Sequence, residues 1–255
     1  MATIRELQDY MRNAAARSHA VYPCAPFHLY LHETDDFRFF NYAIPDVPLE
    51  GVTPAQLDAL RAAFAARGRT LRFEFLHEYA PRLGPALAAL GVPVEGENPL
   101  LVCTPDAFRP IEAPAGLHFV RLAPESPDRD LVDHIETASR GFGDEWGTVL
   151  PERVAELRRR LASGEGGFLA RSGEEPVAAG SYTVPIDGFT ELVGIATLPA
   201  HRRRGIAAAL TAVLAADAFA RGVRTAFLTA ADDNASRVYQ RCGFYRIGTG
   251  LAYGE

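Results

Sequence analysis

Apolar positions along this chain keep two rhythms, one of a helix face and one of a strand. The opening "MATIRELQDYMRNAAARSHA" reads as an amphipathic helix carrying both acidic and basic residues. In "PERVAELRRRLA" a proline stands at the first helical position, and Val154, Leu157 and Leu161 form the apolar stripe. Strand text is equally plain. "LHFVRL" precedes a helix expected near Asp128–Arg140, and "GFLARSG" with "PVAAGSYTV" flanks the turn text "SGEEP" as a hairpin. "FTELVGIAT" is a further strand, followed by an arginine-rich loop and an alanine-rich helix through Ala220 that Gly222 is placed to end. "RTAFLTA" reads as strand, "NASRVYQRC" as a short helix, and "GFYRIGTGLAY" as closing strand. The expected order from Leu117 onward is β-α-α-β-β-β-α-β-α-β, an α/β mixed sheet with helices packed on it. The prolines of "CTPDAFRPIEAPAGLHF" deny a continuing helix or central strand, which places a domain boundary near residue 115.

Composition narrows the class without changing this parse. With 255 residues, 48% hydrophobic and 23% charged, the chain is long enough for one large or two small globular domains. Its net charge of -6 argues against nucleic acid and favours small cationic partners. No run of apolar residues approaches a membrane span, and the N-terminus lacks the apolar core of a signal peptide. Cys24, Cys103 and Cys242 are scattered, so neither a disulfide framework nor a metal site is expected, and the cytoplasm is the natural setting.

The candidate chemistry begins at "ATLPAHRRRGIAAALTAVL". Arg202, Arg203 and Arg204 precede Gly205 where a helix starts. A helix start offers unpaired N–H groups and the positive end of the macrodipole, and a glycine admits a phosphate close to the backbone. Taken alone, that spacing leaves both a phosphate site and a solvated basic loop open. Downstream, "ASRVYQRCGF" adds a tyrosine four residues before Gly243-Phe244. On these two motifs, in this order and on these elements, the segment from Leu117 to Tyr253 resembles the GNAT superfamily of acetyl-CoA-dependent N-acetyltransferases.

The resemblance implies a GNAT fold and acetyl-CoA as the acyl donor. It carries the pyrophosphate cradle onto Arg203, Arg204, Gly205, Ile206, Ala207 and Ala208, with Arg202 heading the motif. The strand before the loop is expected to splay from its neighbour, so that the pantetheine arm lies along Ile195, Ala196 and Thr197. Tyr239 falls at the position of the acid that protonates the departing thiolate. Glu191, eleven residues before Arg202, is the candidate general base, with a water chain as the alternative. Where relatives often carry a cofactor-contacting asparagine this chain has Asp232, so Asn234 either substitutes or serves only as a helix N-cap. In the loop between the first two helices, Glu145 and Trp146 are candidate contacts to the acceptor.

Residues 27–102 read as a partial second copy. With Gly51 set against Gly205, Pro45 meets Pro199, Leu60 meets Leu214, and Ala66-Arg67-Gly68 meets Ala220-Arg221-Gly222. A slip of two then brings Gly91 to Gly243. In this copy the three arginines become Pro48, Leu49 and Glu50, Tyr239 becomes Leu87, and Glu191 becomes Phe37. The expected organisation is a degenerate GNAT-like domain over 1–115 and a catalytic domain over 116–255, in a monomer or homodimer. The expected activity is acetylation of a small-molecule primary amine. The rivals are acetylation of a peptide or protein amine, a non-catalytic acyl-CoA-binding regulator, and a ligase-like tandem enzyme acting on a sugar amine.

Overall fold

A computed structural model describes residues 2–33, 36–143 and 149–255. Helix α1 (Ile4–Ser18) is followed by strands β1 (Ala20–Cys24), β2 (Phe27–Leu31) and β3 (Asn41–Pro45), helix α2 (Pro54–Ala65), strand β4 (Arg72–Leu76), helix α3 (Leu83–Ala89) and strand β5 (Val94–Cys103). Then come β6 (Leu117–Leu122), α4 (Asp128–Phe142), α5 (Pro151–Ala162), β7 (Gly166–Ser172), β8 (Glu175–Tyr182) and β9 (Phe189–Thr197). The chain closes with α6 (Ile206–Ala220), β10 (Thr225–Thr229), α7 (Asp233–Arg241) and β11 (Tyr245–Gly254). From β6 onward this is the order that the apolar rhythm predicts.

Two compact units result. The first comprises residues up to Leu100 with Thr229–Asp232 and Arg246–Glu255; the second comprises Leu101–Leu228 and Asp233–Tyr245. In the first unit the strands run β1-β2-β3-β4-β11-β5, with β3 parallel to β4 and β11 antiparallel to β4. Phe27 meets Phe73 edge-on at 5.4 Å, and Leu57, Leu60 and Phe64 bury the inner face of α2. Its order β-β-β-α-β-α-β from β1 to β5 repeats that from β7 to β11.

In the second unit the strands run β10-β9-β8-β7-β6, antiparallel except for the parallel pair of β9 and β10. Leu122, Leu131, Leu157 and Leu161 form a buried cluster that joins β6, α4 and α5, supported by Val120, Ile135 and Val154. Arg171 of β7, almost fully buried, donates to Asp130 at 2.7 Å and Asp133 at 2.6 Å and pins α4 to the sheet. Small residues let α6 lie close on the strands: a Cβ at Gly180 would come within 3.0 Å of Leu214.

The proline-rich segment after β5 has no helix or strand, as expected, yet it is packed. Phe108 meets Phe219 edge-on at 5.6 Å, and the Arg109 N–H donates to the Cys242 carbonyl at 2.9 Å. Gly243 abuts this segment with φ of 92°, and a Cβ there would lie 2.0 Å from the Ala107 carbonyl oxygen. Both the backbone angle and the space require glycine. Gly243→Ala is therefore expected to destabilise the protein by roughly 2–3 kcal/mol. Urea denaturation checks this, and an unchanged midpoint would contradict the packing described.

Candidate active site

The site is organised by one strand, β9. Its register with β8 runs Tyr182–Leu192 and Ser181–Val193, then Ala179–Ala196 and Ala178–Thr197. Two steps on β8 are thus matched by three on β9, a β-bulge at Gly194 and Ile195, and Gly194 adopts φ of 64° to make it. A bulge bends the strand that carries it. On the other side, β9 pairs with β10 through Phe189–Thr225, Thr190–Ala226 and Glu191–Phe227, and the register ends there. Beyond Glu191 the two strands fork, although β9 continues to Thr197 and β10 to Thr229. Ile195, Ala196 and Thr197 line the arm of this fork, and the Thr197 hydroxyl is buried without a hydrogen-bond partner.

A 3-10 turn at Pro199–His201 leads from β9 to the arginine loop. Arg203 holds a left-handed conformation with φ of 63° and Gly205 with φ of 80°. For arginine that conformation costs energy, and such strain clusters at ligand clamps. Gly205 is the N-cap of α6 and offers no side chain to its first N–H groups. Ile206 and Ala208 are buried beneath the loop, while Arg203 and Arg204 are exposed and make no ion pair or side-chain hydrogen bond among the described residues. Arg202 differs. Its Nη2 donates to the Gly141 carbonyl at 2.8 Å, and its Nε donates to the Thr197 carbonyl at 3.2 Å.

Glu191 stands at the fork itself, half-buried, with its N–H donating to the Thr183 hydroxyl at 3.0 Å. Tyr239 lies half-buried on α7, which packs on α6, and its ring is 6.4 Å from that of Phe244. Its carbonyl accepts from Cys242 and Phe244 in the turn that Gly243 closes. Asn234 occupies the exposed first turn of α7 as its second residue, with Oδ1 accepting from Arg237 at 3.2 Å. It is not the N-cap. Glu145 and Trp146 lie outside the described residues.

His134 was not legible from sequence. This residue of α4 is buried, and its Nε2 donates to the carbonyl of Gly180, the β8 residue that faces the β9 bulge (3.3 Å). Its Nδ1 is buried without a partner, and burial lowers its pKa to about 4, with Arg160 adding to the shift and the Gly180 bond opposing it. The glycine inside "FTELVGIAT" was the signal available for the bulge.

In the first unit the equivalent place is closed. The α2 start is capped by its own chain, with Thr53 and Gln56 forming a reciprocal capping box. Glu50 stands there paired with Arg82 at 3.1 Å. The ends of β3 and β4 are taken up by α1: Arg12 donates to the Pro45 carbonyl at 2.9 Å, and Gln8 accepts from the Leu76 N–H at 2.8 Å.

Comparison with known proteins agrees with this geometry. Residues 131–244 match the acetyltransferase (GNAT) family model. That segment is a GNAT acetyltransferase domain. A GCN5-related N-acetyltransferase from Kribbella flavida is similar over 100% of this chain and 96% of its own, with 28% identity and a TM-score of 0.79. A tandem GNAT protein from the clavulanic acid biosynthesis pathway shares the fold over 90% of this chain and 78% of its own (16% identity, TM-score 0.61). So does a GCN5-related N-acetyltransferase-like protein from Streptococcus suis, over 99% of this chain and 100% of its own (11% identity, TM-score 0.59). No curated protein sequence matches the chain.

His134 makes the second unit pH-sensitive. Its pKa is depressed on folding, so its contribution is complete above about pH 6.5 and is lost as pH falls toward 4. Wild-type stability should fall by roughly 3 kcal/mol more across this window than that of His134→Gln, which retains a donor but does not titrate. An equal loss of unfolding free energy in wild type and variant between pH 7.5 and 4.5, measured by urea denaturation, would contradict the buried neutral imidazole.

Proposed function

We propose that this chain transfers the acetyl group of acetyl-CoA to a primary amine, with a small molecule as acceptor. The observation that carries the reading is the β9–β10 fork, which leads through a strained loop to the side-chain-free start of α6. The fork presents strand backbone at Ile195, Ala196 and Thr197 for the pantetheine amides, and the unpartnered Thr197 hydroxyl stands beside them. The N–H groups of Gly205 to Ala208 and the uncommitted guanidinium groups of Arg203 and Arg204 receive the pyrophosphate. Asn234 is a peripheral contact at most, since its carbonyl oxygen serves Arg237. The acidic balance of the chain favours a cationic acceptor.

Acetyl-CoA supplies an activated thioester, and the remaining tasks fall to the protein. Glu191 at the fork takes the proton that the ammonium group must lose before it attacks, directly or through water. Backbone N–H groups around Ile195 and Ala196 stabilise the oxyanion. Tyr239 donates its phenolic proton to the departing thiolate, a suitable exchange because the two groups have comparable pKa values. The first unit is scaffold, and the three free thiols suit the reducing cytoplasm.

Release of free thiol from acetyl-CoA across a panel of primary amines tests the activity. Tyr239→Phe should lower kcat on the order of 10²-fold while leaving acetyl-CoA affinity within twofold. Wild-type turnover in that variant would remove Tyr239 from the mechanism.

A further inference from the structure

Arg202 heads the cofactor motif, yet its guanidinium is already spent on protein carbonyls. Gly141 is the penultimate residue of α4, so its carbonyl belongs to the last turn, which has no acceptor-satisfying partner within the helix. Arg202 Nη2 donates to that carbonyl and places a positive charge at the negative end of the helix dipole. Its Nε holds the Thr197 carbonyl, the last of β9. At the same place α4 lies flush on β9: a Cβ on Gly141 would approach the Ala196 Cβ to 2.7 Å and the Thr197 nitrogen to 3.3 Å. Two independent features, the bridge and the glycine contact, thus fasten one end of α4 to the strand that the fork exposes.

We propose that Arg202 is a positioning residue and not a phosphate ligand. It bridges the end of α4, the end of β9 and the loop that opens α6, so that occupancy of the loop is felt at Gly141–Gly143. Rotating Arg202 toward a phosphate strips the buried Gly141 carbonyl of its partner, whereas Arg203 and Arg204 have no such tie to break. Phe142, with 61% of its surface exposed, sits on the segment that Arg202 holds, and Gly143 ends the helix in a left-handed conformation. The bridge therefore fixes where α4 stops.

This inference rests on the acyl-CoA reading above, and its test separates the two. Hydrogen exchange at the amides of residues 141–143 is followed in wild type, Arg202→Lys and Arg202→Met, without and with acetyl-CoA, and affinity is measured by calorimetry. Lysine keeps the charge but cannot span two carbonyls with a planar fork. In coenzyme-free protein both variants should exchange at least tenfold faster at these amides, with the far-UV spectrum unchanged. Acetyl-CoA should slow exchange there in wild type and not in the variants, while affinity stays within about threefold. A tenfold or greater loss of affinity in Arg202→Lys, or wild-type exchange at 141–143 in both variants, would overturn the proposal. If wild type binds no acetyl-CoA, the functional reading fails, and the coenzyme-free exchange still decides the role of Arg202.

Discussion

A parallel strand pair that stops pairing while both strands continue leaves backbone donors and acceptors in need of partners. That is the constraint on which the second unit depends. The bulge at Gly194 bends β9 away from β10 after Glu191, and the neighbouring elements are shaped around the consequence. His134 takes up a carbonyl opposite the bulge, Gly141 allows α4 to press on Ala196, and Arg202 secures the Thr197 carbonyl. The opening that remains is suited to an extended ligand rich in amides and ending in phosphates.

The first unit shows what the same order of elements does without that opening. Its β3 is short and lies in register with β4 at Ala43–Phe73, and side chains one helical turn apart on α1 occupy the ends of both strands. A threonine–glutamine box caps α2, where α6 begins with a bare glycine. The difference lies in a few residues. A hydroxyl and an amide satisfy one helix start internally, and their absence leaves the other available to an anion.

The linear order of the second unit was legible because its signals are local. β6, α5 and β9 fall on the apolar patterns that predict them, and Pro151 and Gly222 mark helix boundaries by their own backbone limits. The arginine loop was legible for the same reason, since glycine and its neighbours are adjacent in the chain. What depends on distant partners was not. The pairing of β11 with β4 in the first unit, the burial of His134 beneath the bulge and the commitment of Arg202 to α4 arise only from tertiary approach. Asn234 illustrates the limit at short range: a shift of two residues in the start of α7 moves it from cap to first turn.

The central claim is that the chain holds one acyl-CoA, at the fork and helix start of the second unit. Calorimetric titration of the intact protein with acetyl-CoA tests it most directly, alongside Gly205→Glu, which sets a carboxylate where phosphates are held. One site per chain in wild type and none in a folded Gly205→Glu variant is the predicted result. Two sites per chain, or undiminished binding in the variant, would contradict it.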